Sequence, residues 1–303
     1  MPDHVGSGGL EDGLSRLGLE VVSVRRGSGG DTCRAWRVEL VDGSCAFVKQ
    51  APPQTAGMPQ LEAAGLTWLE SCGAEVPRVL AADSEFLVLS WVDAVRATPE
   101  AAAGFGATLA RMHSSSARSF GCPPPQAAGT AIGWVGPVRV PFGSHDSWAE
   151  HYVADRLVPA ADAAQANGGL TTTMRSAVDD LFDALLRDPG PVVGPSVDPA
   201  PIHGDLWSGN VMWQESGAVL VDPAASGGHP ETDLAMLVLF GTPQLARVLA
   251  AYESVRPLPL AWRSRIPLHQ VFPLLVHAAM FGAGYGAQAA EAARAALVAA
   301  GQE

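Results

Sequence analysis

The chain has 303 residues, of which 48% are hydrophobic and 17% are charged, and it carries a formal net charge of −12. This composition predicts a packed globular protein with one large domain or two lobes, and it excludes a disordered chain. The negative charge argues against nucleic acid or a membrane surface as a partner, because both are bound through concentrated basic surfaces.

Targeting and cysteine patterns predict a reduced, cytoplasmic protein. The first eighteen residues lack the cationic segment and apolar run of a signal peptide. The four cysteines are widely spaced without a C-x-x-C pair, which indicates neither a zinc site built on cysteines nor a disulfide scaffold. The most apolar span, residues 271–290, contains Pro273, His277 and Gln288. It therefore predicts a buried helix and not a membrane crossing.

The first ninety residues predict a small lobe of strands with one helix. Residues 19–30 and 34–50 alternate apolar and polar side chains, and the second stretch turns at Asp42 and the glycine after it, which predicts a hairpin. A helical pattern follows over residues 58–73, and a short buried strand is predicted over residues 86–92.

After Asp93 the chain changes to long alanine-rich helical patterns and one long loop. Helices are predicted over residues 101–113, 147–165, 171–187, 232–240 and 243–253. Residues 119–144 are rich in proline and glycine and predict an irregular loop. We therefore divide the chain into an N-terminal lobe of residues 1–91 and a C-terminal lobe of residues 92–303.

The stretch of residues 201–228 carries the chemistry, because it holds four residues able to bind metals or protons: His203, Asp205, Asn210 and Asp222. Two short apolar segments between Asn210 and Asp222 predict a hairpin that brings its two ends together. An amide oxygen beside a carboxylate is a pair suited to Mg²⁺. Asp205 precedes Asn210 by five residues and can reach the same point from the other end of a loop.

Lys49 is the only lysine, beside eighteen arginines. Its compact ammonium fits a tight phosphate site that a planar guanidinium would not. An Asp base, an Asn five residues later, an Asp after a hairpin and a lysine on an earlier strand are the layout of protein kinases. In that layout Lys49 holds the nucleotide phosphates, and Glu62, on the next helix, fixes the ammonium.

Departures from the protein-kinase pattern favour a small-molecule acceptor. Gly204 stands where protein kinases have an arginine that reads a phosphorylated activation loop, and Trp207 replaces the usual lysine. Only ten residues separate Asp222 from Asp233, too few for a peptide-binding activation segment.

Two further stretches are candidates for nucleotide contacts. The glycine-rich residues 27–33 lie between two strands, where the amides of Gly29 and Gly30 could cover phosphates, although a plain turn remains the alternative. The end of the strand over residues 86–92 would be the hinge, with the backbone of Ser90 and Val92 facing adenine. Its alternative is an ordinary buried strand.

Several motifs, in order along the chain, resemble the fructosamine kinase (ketosamine-3-kinase) family of the aminoglycoside-phosphotransferase-like superfamily. They include "LEAAGLTWL", "HGDLWSGNV", "ETDLAMLVLFG" and "MFGAGYGAQA". The resemblance covers most of the chain between Gly27 and Gln288. It implies an α+β, protein-kinase-like fold of two lobes, a small β-rich N-lobe with one helix and a large, mainly helical C-lobe.

The resemblance implies that Asp205 is the catalytic base and that Asn210 and Asp222 hold Mg²⁺. Lys49 would hold the phosphates of ATP, braced by Glu62.

The resemblance also implies residues around the acceptor and the catalytic loop. Trp207 would lie beside the sugar-amine acceptor, since an indole face suits a sugar ring and a cationic amine; a packed core aromatic is the alternative. His277 and Tyr285 would lie on the acceptor side, where core packing is equally open. His203 and Asp233 would support the catalytic loop.

The implied reaction is phosphorylation by ATP of the C3 hydroxyl of a ketosamine, free or protein-bound, in deglycation repair by a monomer or weak homodimer. The family's Q-x-N element is absent after "IGW", and its F-x-x-E-R-L appears as "YVADRL". The acceptor therefore stays open. Another small-molecule kinase of the superfamily and a non-catalytic nucleotide-binding pseudokinase are the alternatives. Cys33 lies near the position of a redox-sensitive cysteine in some relatives, which makes a thiol switch a further expectation.

Overall fold

The computed structural model describes residues 7–27 and 33–301. The N-terminal part is a five-stranded antiparallel sheet in the order β1-β2-β3-β5-β4. Its strands are β1 (Val21–Arg26), β2 (Arg34–Leu40), β3 (Cys45–Gln50), β4 (Val79–Ala82) and β5 (Phe86–Ser90). The predicted strand over residues 86–92 thus ends two residues early.

The predicted hairpin between β2 and β3 is confirmed, and its turn shows why these residues form it. The Asp42 carboxylate accepts hydrogen bonds from the Ser44 backbone N–H at 2.9 Å and hydroxyl at 2.6 Å. Gly43 between them has φ +83°, a conformation that costs glycine little. The hairpin sets Lys49 opposite Ala35 on β2 and Leu87 on β5.

Two helices pack on this sheet, where the sequence predicts one. Helix α2 (Met58–Ser71) ends just before Gly73, as predicted. The second, α1 (Ser7–Arg16), was missed because its three glycines weaken the helical pattern. Tertiary packing stabilises it: Leu10 and Leu14 are buried in the sheet's core, and a β-carbon at Gly13 would stand 2.4 Å from the Phe86 ring.

The C-terminal part is mainly helical, with three small antiparallel strand pairs. Its helices are α3 (Pro99–His113), α4 (Trp148–His151), α5 (Val158–Ala166), α6 (Thr172–Arg187), α7 (Gly190–Val193), α8 (Pro230–Leu239), α9 (Leu245–Val255), α10 (Ile266–Phe281) and α11 (Ala283–Ala300), with a π-helical segment, Tyr152–Leu157, joining α4 to α5. Its strands are β6 (Ile132–Val135) with β7 (Val138–Pro141), β8 (Ala200–Ile202) with β11 (Ser226–Gly228), and β9 (Val211–Trp213) with β10 (Ala218–Leu220).

The α+β class with a β-rich N-lobe and a helical C-lobe is confirmed, and two local predictions need correction. The loop over residues 119–144 contains the β6–β7 hairpin, whose strands are too short for a clear alternation. The apolar span 271–290 is two helices and not one, because the chain turns at Gly282 with φ +95°. The lobe boundary at residue 91 stays a prediction.

Two apolar cores stabilise the helical part. One is formed by α4–α6, α10 and α11, and the other by α3, α8, α9 and the β9–β10 pair. In the part of the chain that the structure describes, no helix has both the length and the apolar character needed to cross a membrane.

Candidate active site

A buried ion cluster joins the sheet to the C-terminal part. Lys49 Nζ lies 3.0 and 2.9 Å from the two carboxylate oxygens of Glu62 on α2, and 2.7 Å from Asp222 Oδ1. Burial by itself would lower the pKa of Lys49, but the attraction of both carboxylates outweighs it and raises that pKa, so the ammonium is retained. Burial raises the pKa of Glu62, and the neighbouring Asp222 charge adds to this increase while Lys49 opposes it.

The loop between β8 and β9 brings Asp205 and Asn210 together. The Asn210 side-chain nitrogen donates to the Asp205 backbone carbonyl at 2.8 Å and to its carboxylate at 3.2 Å. Since the amide nitrogen faces Asp205, the amide oxygen is the atom that Asn210 can offer to a cation. The antiparallel β9–β10 pair then places Asp222 next to this loop. The N–H of Val221, the residue before Asp222, donates to the Asn210 carbonyl at 3.1 Å.

The two aspartates have pKa values shifted in opposite directions. Burial, with the neighbouring Asp222 charge, raises the pKa of Asp205 to about 7. Burial would also raise the pKa of Asp222, but Lys49 outweighs it and lowers that pKa. One carboxylate is therefore able to exchange a proton near neutral pH while the other stays ionised, which is the division that acid–base chemistry requires.

Asp233, at the start of α8, fixes the loop between β8 and β9 that carries Asp205. Its buried carboxylate accepts from the backbone N–H groups of His203 at 2.7 Å and Gly204 at 2.9 Å. His113 Nε2 lies 3.1 Å from the same carboxylate, and the other His113 nitrogen lies 3.0 Å from the Tyr252 hydroxyl. Nothing in the sequence marks His113 or Tyr252 as part of this site, because α3 and α9 meet the loop only in the folded protein.

The His203 side chain spans the loop between β8 and β10. Its Nδ1 accepts the Asp205 N–H at 3.3 Å and its Nε2 donates to the Val221 carbonyl at 2.9 Å. Burial lowers the pKa of His203, so the ring is neutral, and both of its nitrogens are engaged in hydrogen bonds that hold the loop.

Gly204 explains the missing arginine of the protein-kinase pattern. Its φ is +79°, and a β-carbon there would stand 2.4 Å from the Ala224 carbonyl oxygen. The backbone therefore approaches too closely for any side chain at this position.

A cleft of about 220 Å³ brings most of the predicted residues together. Its lining includes Lys49, Glu62, Asp205, Trp207, Asn210, Asp222 and His277, together with the β6–β7 hairpin and the end of α10.

The side of this cleft that Trp207 and His277 line, where the sequence predicts the acceptor, is aromatic. Trp207 is 40% exposed, and its ring packs edge-on against Phe240, which in turn contacts His277 with ring centres 4.8 Å apart. Burial lowers the pKa of His277, so it is neutral. Tyr285 contacts the far side of His277, with ring centres 5.1 Å apart, and is outside the cleft lining.

Arg156 lines the cleft, although the sequence predicted no role for it beyond its place in the motif "YVADRL". It lies in the π-helical segment, buried, and donates to the Pro141 carbonyl at 2.9 Å and the Ser226 hydroxyl at 3.2 Å. Burial lowers its pKa to about 10. The motif "YVADRL" was the available signal, but only the fold shows that this arginine faces the cleft.

The remaining nucleotide predictions stay predictions. Gly29 and Gly30 lie outside the described residues. The Ser90 N–H donates to the Arg78 carbonyl at 2.9 Å within the sheet. An adenine contact at Ser90 would therefore need the Ser90 carbonyl. Val92 lies two residues after the end of β5. Cys33, the candidate thiol switch, lines a separate cavity and not the Lys49 cleft.

The donor set at Asn210 and Asp222 fits Mg²⁺. It offers one amide oxygen and one ionised carboxylate, both hard oxygen ligands, and this ion is typically bound by one or two carboxylates plus phosphate oxygens and water. Asp222 has φ +55°, a rare conformation for a residue with a β-carbon, and strain of this kind is typical of functional sites.

Comparison with known proteins decides the family. The model of the fructosamine kinase family matches residues 16–299. The chain belongs to the fructosamine kinase family. Membership makes it a phosphotransferase of the small-molecule kinase type.

Relatives agree with this assignment. A probable ketoamine kinase of Thermus thermophilus is 33% identical over 258 residues, which cover 85% of this chain and 87% of that protein. A solved structure from Thermobifida fusca, provisionally named a fructosamine-3-kinase, has a TM-score of 0.87 and 43% identity, covering 97% of this chain and all of that one. A macrolide 2'-phosphotransferase of Brachybacterium faecium, with a TM-score of 0.63 and 18% identity over 94% of this chain and 97% of that one, shares the fold. The predicted kinase-like fold and family resemblance are thereby confirmed.

Proposed function

We propose that this fructosamine kinase homologue transfers the γ-phosphoryl group of ATP to the C3 hydroxyl of a ketosamine. The acceptor oxygen forms the new bond to phosphorus, the bond to ADP breaks, and the hydroxyl proton passes to Asp205. The labile product decomposes and frees the amine, which would serve deglycation repair. The family's name and the ketoamine kinase relative support the acceptor class.

The single observation behind this proposal is the meeting of Asp205, Asn210, Asp222 and Lys49 in one cleft. Asp205, with a pKa near 7, can accept the acceptor proton close to neutral pH. Lys49, kept charged by Glu62 and Asp222, would hold the nucleotide phosphates in line.

Mg²⁺ would be held by Asn210 and Asp222, where it would neutralise charge on the phosphate oxygens. The Asn210 amide nitrogen keeps Asp205 aimed into the cleft. Asp233 and His203 fix the loop that carries Asp205, so the base is positioned before the substrates bind.

The exposed Trp207 ring supports a sugar-amine acceptor. An indole face packs on the apolar face of a sugar ring and attracts a cationic amine. Gly209 lets this ring lie over the loop, since a β-carbon there would stand 2.2 Å from it. The neutral His277 adds no charge that would repel an amine.

The alternative is another small acceptor, such as an aminoglycoside, an amino alcohol or a free sugar. The rings of Trp207 and His277, which line the cleft, would also accept such molecules. A pseudokinase is the third possibility, and the intact set of Lys49, Asp205, Asn210 and Asp222 argues against it.

The test is ATP consumption by the purified protein with Mg²⁺ and, separately, ribulosamine, fructosamine or an aminoglycoside. We expect turnover with a ketosamine, and Asp205→Asn protein is the control for contaminating ATPases. Turnover only with the aminoglycoside would move the function to the alternative, and tight ATP binding without any turnover would indicate a pseudokinase.

A further inference from the structure

Two histidines and an aspartate meet outside the cleft, in a cluster that the phosphotransfer chemistry does not use. Asp155 lies in the π-helical segment. Its Oδ2 is 2.8 Å from His151 Nδ1 and 3.0 Å from His145 Nε2. The ligand atoms of all three residues lie within 4.8 Å of one another. Segments of π-helix are frequent at functional sites, because the wider turn re-aims side chains.

Two glycines let the backbone pass close to these three ligand atoms. A β-carbon at Gly143 would stand 2.5 Å from both Asp155 Oδ2 and His145 Nε2. A β-carbon at Gly121, whose φ is +82°, would stand 2.7 Å from His151 Nδ1. The two backbones are joined by a Gly143 N–H to Gly121 carbonyl bond of 3.0 Å. Only glycine therefore lets the backbone pass this close to the three ligand atoms without a side-chain clash.

The charges in the cluster favour a cation. In the described parts of the chain, no lysine or arginine forms an ion pair with the Asp155 carboxylate. Arg156 donates instead to the Asp155 backbone carbonyl at 3.1 Å. Among the described residues, the side chains that contact this carboxylate are the two imidazole rings, neither of which carries a permanent positive charge.

A second cluster, His229, Glu231 and His269, lacks this imbalance. Both Glu231 oxygens are bound by Arg265, at 3.0 and 2.6 Å, so a cation is already present. All three side chains are also fully buried, which gives an ion no entry path.

We propose that His145, His151 and Asp155 form a zinc site. Two imidazoles and one carboxylate are a set typical of zinc, with water as the fourth ligand. His145 has a side chain that is 24% exposed, which opens the site to solvent. To bind an ion, Asp155 Oδ2 needs to move from 2.8–3.0 Å to about 3.4 Å from each histidine nitrogen, the spacing around a tetrahedral ion.

The site would brace one wall of the acceptor cleft. His145 forms an isolated bridge with Phe120, and Asp155 directly precedes Arg156, which lines the cleft. Zinc would tie the chain after β7 to the π-helical segment without touching the reacting atoms. The proposal is independent of the acceptor, and it uses none of the cysteines.

The experiment measures zinc binding to the full chain after metal is removed with a chelator. Calorimetry with ZnCl₂ should show one site that Asp155→Asn and His145→Gln each weaken by at least ~10²-fold. Asp146→Asn is the matched control, since it makes the same chemical change at an exposed residue next to His145 and removes none of the three proposed ligands. Zinc at a hundredfold excess over its Kd should raise the Tm of the wild type by about 5 °C, and not that of Asp155→Asn.

Binding to other sites gives different results. If zinc binds at the nucleotide-metal pair, Asp222→Asn should abolish binding and Asp155→Asn should keep it, and the proposal is wrong. The proposal is also wrong if the second cluster binds the ion, in which case His269→Gln weakens zinc binding while Asp155→Asn and His145→Gln do not. It is equally wrong if the wild type binds no stoichiometric zinc. His145→Gln changes a partly exposed side chain, so a folded variant is available even if Asp155→Asn unfolds.

Discussion

Gly204 directly precedes Asp205, the proposed catalytic base, so the substitution Gly204→Ala should damage both stability and turnover. The residue has φ +79°, and a new β-carbon would meet the Ala224 carbonyl oxygen at 2.4 Å. The left-handed conformation costs alanine about 1–2 kcal/mol and the overpacking about 1–3 kcal/mol more. We expect the free energy of unfolding to fall by about 2–5 kcal/mol.

Relief of the contact has a second consequence, because the neighbouring residue is Asp205. The β-carbon and the carbonyl must separate by about 1 Å to reach ordinary contact, and a displacement of that size at a reacting group can cost about 10²-fold in rate. We therefore expect kcat to fall about 10²-fold in the fraction that remains folded.

The assays are urea unfolding and steady-state kinetics, with Gly217→Ala as the matched control. Gly217 lies in the nearby β9–β10 turn, where a β-carbon would meet nothing within 4 Å. That variant should stay within about 0.5 kcal/mol of the wild type. Equal stability and equal kcat in the two variants would refute the steric explanation for glycine at position 204.

The other predictions concern the charged groups and the acceptor wall. Asp205→Asn should keep the fold and the ATP affinity but lose on the order of 10²–10⁴ in kcat; unchanged turnover would remove Asp205 from the base role. Because the base must be deprotonated, kcat/KM should rise about tenfold per pH unit in acid and level off above about pH 7, and a flat profile from pH 5 to 8 would contradict the raised pKa. Lys49→Arg should lower kcat/KM for ATP by about tenfold or more, since a planar guanidinium cannot reproduce three contacts of 2.7–3.0 Å; near-normal kinetics would contradict the shape argument. Trp207→Ala should raise the KM of the acceptor and leave that of ATP unchanged, and the opposite pattern would exclude Trp207 from the acceptor site.

The order of the motifs was sufficient to predict the fold class and the meeting of Lys49, Glu62, Asp205, Asn210 and Asp222 in one cleft. Asp205, Asn210 and Asp222 lie close in sequence, and the hairpin between the last two is a local structure, so their meeting depends little on the rest of the chain. Lys49 and Glu62 lie on consecutive elements with clear strand and helix periodicities, which made their pairing predictable as well.

Helix α1 and the β6–β7 hairpin were missed for a different reason. Three glycines in α1 weaken its helical propensity, and only burial of Leu10 and Leu14 against the sheet stabilises it. The β6 and β7 strands have four residues each, too few for the alternation of side chains to stand out.

The sequence by itself determined which chemical groups this protein has and in what order they follow one another along the chain. Only the tertiary structure decided how those groups are held: His113 and Tyr252 behind Asp233, Arg156 at the cleft, and His145 with His151 around Asp155. These contacts join residues whose elements meet only when the helical cores pack. Long-range packing leaves no periodic signal in the chain, whereas a hairpin or an amphipathic helix does.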